Sequence, residues 1–222
     1  DSLFSSAIEN RSPIFVPYHR RVSPAYAALK AQVDSGEIGK IGFIKIHSNQ
    51  YPPKTYSSGK AGSCSTVVFS ELIHDIDWLN QCFGPIRTVF AQGVQKKQPT
   101  TEYVMASYTL KGGVTANGGV IAQVIHTYQS TVEPSLRVEI CGTEGIVQYD
   151  SLQTPIRPAP SNNKSRPPLD GCENPWDLHW SAFEELVQKG KTSQREAQLL
   201  VAPVRIAQLT VESILSGTRK KV

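Results

Sequence analysis

The residues whose types and spacing best suit chemistry are His74, Asp75 and Asp77, which stand together in one apolar segment. Residues 66–83 are predicted to form a helix because apolar residues recur at spacings of three and four, namely Phe69, Leu72, Ile76, Leu79 and Phe83. A helix turns by about 100° per residue, which places His74 on a different face from that stripe. Val67, Ser70 and Gln81 share the face of His74, and Asp77 lies beside it. A histidine on such a face can accept or donate a proton near neutral pH. A histidine that only hydrogen-bonds the adjoining sheet or loop fits the same pattern.

A second candidate is the pair His47 and Asn49, two residues apart in a predicted strand over residues 40–51. Alternation along a strand places both side chains on one face. Residues 52–65, rich in Pro, Gly, Ser and Lys, follow and indicate a flap over a site. Two neutral hydrogen-bonding side chains beneath a flap would suit a polyhydroxylated ligand. A strand end at the solvent boundary explains them equally well.

A metal site built from His47, His74, Asp75 and Asp77 is the third possibility. It is disfavoured because His74 and Asp75 diverge by about 100° on a helix, so an unrelated segment would have to complete the site. The cysteines are widely spaced and form no C-x-x-C pair, at Cys64, Cys82, Cys141 and Cys172. We therefore expect no metal, and free thiols in the reducing environment of the cytoplasm.

The bulk properties narrow the class of protein. A chain of 222 residues with 39% hydrophobic and 19% charged content fits one globular domain, or one domain with part of another. The net charge of +4 is scattered, and the basic run Arg219-Lys220-Lys221 is expected to be a solvated end, so nucleic acid is not an expected partner. No uninterrupted apolar run of membrane-spanning length and no signal-peptide pattern occur, so no membrane role is expected.

The elements before the candidate helix begin with a predicted helix over residues 3–10. The continuous apolar run Pro13-Ile14-Phe15-Val16 then predicts a strand buried on both faces, as in a parallel sheet. Together they are interpreted as the last αβ unit of a doubly wound sheet. A further helix should begin with Ser23 as its cap and Pro24 in its first turn, and end at Gly36.

The elements after the candidate helix are mostly strands, beginning after Gly84-Pro85. They are predicted at residues 86–94, 103–110, 120–127, 136–141 and 146–149, and their short connections imply antiparallel pairing. Residues 152–175 indicate an irregular surface stretch. Two closing helices are expected, over 176–189 with Trp180, Phe183 and Val187 on one face, and over 194–216 with Leu199, Val204, Ile206, Leu209 and Ile214 as the apolar positions. The predicted fold class is α+β, a large and mostly antiparallel open-faced sheet with helices on one side.

Four short motifs, taken in this order, resemble the Gfo/Idh/MocA family of nicotinamide-dependent dehydrogenases. Residues 15–26 (FVPYHRRVSPAY) resemble the family's crossover between domains, and residues 33–42 (VDSGEIGKIG) are similar to its turn of the form sGeiGki. Residues 73–79 (IHDIDWL) look like its catalytic helix, and residues 141–145 (CGTEG) resemble a late turn between strands. The resemblance extends over nearly the whole chain.

The resemblance implies a fold, a cofactor and a set of roles. Residues 1–20 would be the remnant of an N-terminal Rossmann domain that binds NAD or NADP, and residues 21–222 the substrate-binding and oligomerisation domain. His74 would be the proton-transfer residue in the oxidation or reduction of a sugar, inositol or related polyol over the open sheet, with His47, Asn49 and Arg20 on the substrate side. The family's habit of pairing through this sheet implies a homodimer or tetramer.

The sequence departs from the family pattern at two informative places. No G-x-G-x-x-G turn occurs, so this chain alone is expected to bind no NAD(P) and to be inactive. Ser70 stands where the family usually has an aspartate one helical turn before the histidine, and Asp77 is the residue that could partly take over its role. Both departures leave open a non-catalytic relic that acts in dimerisation or carbohydrate binding.

Overall fold

The computed structural model describes residues 2–10, 12–51, 67–97, 100–116, 118–128, 133–153, 157–158 and 175–222. The predicted flap at 52–65 and most of the predicted irregular stretch at 152–175 lie outside these residues. The α+β class is confirmed, because the described residues form an eight-stranded sheet with helices on one face.

The element bounds follow the sequence prediction closely. The helices are α1 (Ser2–Glu9), α2 (His19–Val22), α3 (Pro24–Asp34), α4 (Ile73–Cys82), α5 (Pro175–Lys189) and α6 (Gln194–Ser216). The strands are β1 (Ile41–Gln50), β2 (Ile86–Lys97), β3 (Thr100–Lys111), β4 (Gly119–Tyr128), β5 (Ser135–Gly142), β6 (Ile146–Asp150), β7 (Arg157–Pro158) and β8 (Lys220–Lys221). Every strand predicted after Gly84 is present.

The sheet has the strand order β7-β6-β5-β1-β4-β3-β2-β8, with β1 near its centre. The β1–β4 pairing is parallel and the others are antiparallel. Strand alternation divides the sheet into two faces. One face is fully buried and carries Ile44 and Ile46 of β1 beside Ala122 and Val124 of β4. The other face, which we call the open face, carries Lys45 and His47 in β1.

Helices α4 and α6 cover the buried face. Leu72, Ile76 and Leu79 are fully buried there, as the spacing predicted. Helix α6 packs on β2 and α4, begins with a capping box between Ser193 and Glu196, and ends at Gly217 in the left-handed conformation. By length and composition α6 also resembles a membrane-crossing helix, but one face of it is buried in this core.

Two of the family-like motifs pack directly against each other. The turn at residues 141–145 meets the turn before β1 through hydrogen bonds from Glu144 N–H to the Ile38 carbonyl (3.0 Å) and from Thr143 N–H to the Lys40 carbonyl (3.0 Å). Any Cβ at Gly142 would collide with the Ile38 carbonyl. A glycine is therefore required at this position by close backbone approach.

The predicted strand at Pro13–Val16 is wrong. Residues 12–18 form no regular structure, and Ile14, Phe15 and Val16 are only partly buried against the neighbouring helices. A strand needs a partner strand for its backbone groups, and no strand of the described sheet pairs with this segment. The backbone N–H of Ile14 instead donates to the Thr192 hydroxyl at 2.8 Å.

The candidate helix differs from the prediction in its first turns. Residues Val68–Leu72 form a π-helical segment that runs into α4 at Ile73. The wider turn changes the rotation per residue, so the line drawn through Val67, Ser70 and His74 with α-helical geometry does not hold. Val68 and Leu72 are fully buried, which indicates that core packing stabilises this segment.

The closing elements correct three further expectations. On α5, Trp180 and Val187 are 62% and 47% exposed, because the face toward the protein is formed by His179, Phe183 and Leu186. On α6, the predicted apolar positions Leu199 and Val204 are 39% and 38% exposed, whereas Ile206 is buried. The basic end is not simply solvated, because β8 pairs with β2 at the sheet edge.

Candidate active site

His74 lies at the first turn of α4 and faces helix α2, not the open face of the sheet. Its Nδ1 atom accepts a hydrogen bond from the main-chain N–H of His19 at 3.2 Å. The rings of Tyr18 and His19 stand against it, with centroids 6.1 and 4.5 Å away. The ring is partly exposed, and no described residue forms a hydrogen bond with its Nε2 atom. The surroundings are polar and aromatic, so His74 is not an aliphatic core histidine.

A buried polar network lies directly beside this ring. The Asp75 carboxylate is fully buried and accepts from Arg20 Nε (2.8 Å) and from the Tyr26 hydroxyl (2.7 Å). Its other oxygen bonds the His126 Nε2 atom at 2.5 Å. Burial alone would raise the pKa of Asp75, but Arg20 and His126 hold it well below its ordinary value. Asp75 is therefore an anion that joins α2, α3, α4 and β4.

Asp77, expected to assist His74, is bound instead by Arg21. The Arg21 guanidinium donates to both carboxylate oxygens, from Nε at 2.8 Å and from the terminal nitrogen at 2.7 Å. Arg21 also stacks over the Tyr18 ring at 5.0 Å. Paired arginines thus fix α2 to the two carboxylates that follow His74 in α4, and Arg20, expected on the substrate side, is bound to Asp75.

Ser70, at the position where the family usually has an aspartate, lies in the π-helical segment. Its hydroxyl shares a hydrogen bond with the Tyr128 hydroxyl at 2.5 Å, which ties this segment to the end of β4. Serine carries no charge, so it cannot stabilise a protonated imidazole as a carboxylate would.

A second group of rings surrounds His19. His19 Nδ1 and His179 Nε2 are 2.9 Å apart and share a hydrogen bond. Trp176, which is 63% exposed, stands edge-on to His19 with ring centroids 5.5 Å apart. Burial lowers the pKa of both imidazoles, and for His19 the repulsion from His179 and Arg20 adds to the shift. Both rings are therefore neutral at physiological pH.

The electrostatic setting of His74 disfavours its charged form. Burial is the largest cause and, with repulsion from His19 and Arg20, lowers the pKa of His74 from 6.5 to about 3, although Asp75 opposes the shift. His74 is consequently a neutral imidazole at physiological pH.

His47 and Asn49 lie on the open face, on the opposite side of the sheet from His74. His47 lines a polar cavity of about 340 Å³ with Lys45 and Arg137, and burial lowers the pKa of His47, assisted by these two cations. Asn49 donates to the Ser135 hydroxyl at 3.2 Å. The structure therefore does not bring His47 or Asn49 to His74, and the four residues of the possible metal site do not converge.

Sequence reasoning missed His126, His19 and His179. Alternation along β4 places His126 on the same face as Val124, so an inward-facing histidine could have been noticed. His19 and His179 are far apart in sequence, and only the packing of α5 against α2 brings them together.

Comparison with known proteins agrees with this fold. Residues 26–148, more than half of the chain, match the model of the GFO/IDH/MocA C-terminal domain. The chain belongs to the Gfo/Idh/MocA family. This oxidoreductase family was the one indicated by the four motifs, and that prediction is confirmed.

Individual relatives that match the chain are longer than it is. The uncharacterized oxidoreductase YrbE of Bacillus subtilis is 27% identical over 138 residues, which span 61% of this chain and 40% of YrbE. A myo-inositol dehydrogenase from Corynebacterium glutamicum has a similar structure (TM-score 0.66, 20% identity), with 92% of this chain and 63% of that one covered. The WlbA dehydrogenase from Bordetella pertussis, solved with NADH and UDP-GlcNAcA, also matches (TM-score 0.69, 14% identity, 95% and 63% covered). The chain thus spans less than two thirds of the length of each of these proteins.

The family implies a nicotinamide cofactor, and the residues of this chain do not fit its pyrophosphate. The sequence has no G-x-G-x-x-G turn. The N-terminus of α2, which faces the His74 ring, already donates a main-chain N–H to it. The described residues therefore offer no site for this group.

Proposed function

We propose that this chain is the substrate-side domain of an NAD(P)-dependent oxidoreductase that acts on a sugar, an inositol or a related polyol. The observation that carries the proposal is the placement of His74. The ring is held from its Nδ1 side by α2, and its Nε2 atom has no partner among the described residues. The reacting oxygen of a substrate would bind at Nε2.

The surroundings of His74 support a polyol as the substrate class. The neighbouring imidazole of His19 is a neutral hydrogen-bonding group held by His179, and the exposed indole of Trp176 adds an apolar surface. A hydroxyl group of a polyol would bind His19, and the C–H face of the polyol ring would lie on Trp176. The relative named as a myo-inositol dehydrogenase and the dehydrogenase solved with UDP-GlcNAcA favour the same class.

In this proposal the pyrophosphate of the cofactor binds outside residues 21–222, which is supported by the lack of a G-x-G-x-x-G turn in the sequence. Residues 1–20 would then belong to the cofactor-binding domain, and residues 21–222 would form the substrate domain. The relative solved with NADH supports nicotinamide as the redox partner. We expect this chain alone to bind no NAD(P)H and to show no turnover.

The test is a nicotinamide-linked assay of the intact protein against a panel of inositols, aldoses and anhydrosugars, with NAD and NADP tried separately. We expect reduction of one cofactor with at least one cyclic polyol. The matched sample is this chain alone, for which the fluorescence of added NADH and NADPH should stay unchanged. An intact protein that binds cofactor yet oxidises no panel member would contradict the proposal, as would tight NADH binding by the chain alone.

A second candidate function is a non-catalytic role in carbohydrate binding or self-association, and the open face favours it. The polar cavity beside His47 could bind a polyhydroxylated ligand, and Ile121 and Val94 are 40% and 61% exposed. A sheet with one uncovered face commonly acquires a partner, which here would be a second copy in a homodimer or tetramer.

Sedimentation of the protein at several concentrations tests self-association. We expect a concentration-dependent dimer, weakened by Ile121→Lys, which places a charge on the open face. Lys30→Gln, which removes one member of a solvent-exposed ion pair on α3, is the matched control. A monomer at every concentration would exclude pairing through this face.

A cytoplasmic location belongs to the same proposal and is supported by the free thiols of Cys82 and Cys141.

A further inference from the structure

We propose that the buried Arg20–Asp75 ion pair holds His74 in one neutral tautomer, with its proton on Nε2, so that the ring meets its substrate as a hydrogen-bond donor. Arg20 and Asp75 are positioning residues in this view, since they act on His74 through helix α2. The inference rests on the proposed function only in its last step, the meeting with a substrate.

The tautomer follows from the bond between His19 and His74. A main-chain N–H can only donate, so the His74 Nδ1 atom that receives it at 3.2 Å must offer a lone pair. A neutral imidazole without a proton on Nδ1 carries it on Nε2. The N–H of His19 is in the first turn of α2, where no intrahelical acceptor exists and the side chain of the cap residue Tyr18 does not cap the helix. The His74 ring therefore satisfies a donor that would otherwise be unpaired.

The ion pairs are what hold this donor in place. Helix α2 is only four residues long, too short to be stable by itself. Arg20 bonds Asp75 at 2.8 Å, and Arg21 bonds Asp77, so both arginines of α2 are bound by carboxylates of α4. Of the two pairs, Arg20–Asp75 is the more buried, with side-chain exposures of 15% and 0% against 31% and 0%. Asp75 is also fixed by Tyr26 and His126, so this pair dominates the position of α2.

The local charges keep the ring neutral as well. Burial is the largest cause that lowers the pKa of His74, and repulsion from His19 and Arg20 adds to it, while Asp75 opposes the shift. The site lacks the carboxylate that the family usually places at position 70, since Ser70 carries no charge. Asp77, which might have replaced it, is neutralised by Arg21.

The chemical consequence concerns the reacting oxygen of the substrate. A proton on Nε2 can be donated as a hydrogen bond to a carbonyl or alkoxide oxygen and can stabilise negative charge that develops there. The same atom cannot take up the proton of a hydroxyl group while it carries its own, so in the oxidation of a polyol the hydroxyl proton would pass to water at this partly exposed site. His74 in this chain is thus an electrostatic stabiliser, in contrast to the proton acceptor that the family resemblance implies.

Imidazole nitrogen NMR tests the tautomer without substrate or cofactor. The protein contains five histidines, so long-range proton–nitrogen spectra of a ¹⁵N-labelled sample resolve each ring, and His74→Gln identifies the signals of His74. We expect an unprotonated Nδ1 and a protonated Nε2, unchanged from pH 8 to pH 5. A proton on Nδ1, or titration of His74 near its ordinary pKa of about 6.5, would overturn the proposal.

Variants of the ion pair test its positioning role. In Asp75→Asn helix α2 loses its buried anchor, so the ring should exchange between both tautomers. Arg20→Lys keeps the charge but loses the planar fork, and should give a smaller change in the same direction. Lys30→Gln, which breaks an exposed pair on α3, is the control and should leave the His74 signals unchanged. Folded Asp75→Asn and Arg20→Lys proteins with the wild-type tautomer would refute the role of the pair. If Asp75→Asn does not fold, the tautomer of His74 in Arg20→Lys tests the role of the ion pair by itself.

The two hypotheses can fail separately. A wild-type tautomer as expected, combined with an intact protein that oxidises no polyol, would reject the proposed function and keep this inference. Polyol oxidation by a protein in which His74 is protonated on Nδ1 would keep the proposed function and reject this inference.

Discussion

Replacing His74 with alanine in the intact protein should lower kcat by about 10²–10³-fold, the usual effect of removing one hydrogen-bond donor from a developing oxyanion. The effect on KM should be smaller, because the bond strengthens as negative charge grows on the substrate oxygen. Turnover of the polyol found in the panel, measured through the nicotinamide absorbance, gives both constants. This prediction follows from the location of His74 between α2 and α4, with Nε2 facing no described partner.

His74→Gln separates the two possible roles of the ring. A glutamine amide can donate a hydrogen bond but cannot take up a proton at neutral pH. If His74 acts as a donor, His74→Gln should keep more activity than His74→Ala; if it acts as a base, both should be equally impaired. Lys30→Gln is the control and should retain wild-type kcat. A His74→Ala enzyme with more than one tenth of wild-type kcat would show that the site lies elsewhere.

Replacing Asp75 with alanine should lower the free energy of unfolding by about 3–5 kcal/mol, because it leaves Arg20 as an uncompensated buried charge. The same change removes the acceptor of the Tyr26 hydroxyl and the partner of His126, whose Nδ1 atom has no hydrogen-bond partner in the described part of the chain. Urea unfolding followed by tryptophan fluorescence measures the loss. The matched control is Asp34→Ala, which breaks an exposed ion pair within α3 and should cost no more than about 0.5 kcal/mol.

The contribution of Asp75 should also depend on pH with a definite sign. Its pKa is lower in the folded protein than its unfolded value of about 3.9. The stabilisation is therefore complete above about pH 5 and declines as the pH falls below the unfolded pKa. The difference in unfolding free energy between wild type and Asp75→Asn should shrink between pH 5 and pH 2. A difference that stays constant over this range would show that Asp75 is not the stabilising anion.

Much of the fold could be predicted from patterns within single elements. The alternation of apolar residues located β1 to β6, and the spacing of Leu72, Ile76 and Leu79 identified the buried stripe of the candidate helix. These patterns are reliable because each reports which face of one element is buried. The prediction at Pro13–Val16 failed for the same reason, since an apolar run shows burial but not whether a strand lies alongside.

The site could be predicted only in part. The helix that carries His74 was predicted correctly. The side of the sheet on which His74 lies was not, because a histidine off the apolar stripe can face either α2 or the solvent. Asp77 was assigned to His74 from its position on the same helix. Arg21, which binds it, is distant in sequence and was brought there by α2.

The sequence by itself determined the α+β class, the family and the identity of the helix that bears His74, because each of these is encoded in short motifs or local periodicity. The tertiary structure alone decided which partners the ionisable groups have. Arg20 with Asp75, His19 with His74, and His19 with His179 are pairs joined across 55 residues or more, and hydrogen bonds of this kind depend on atomic distances that no local pattern contains. Those distances set the charge and tautomer of His74, and with them the chemistry we propose for this protein.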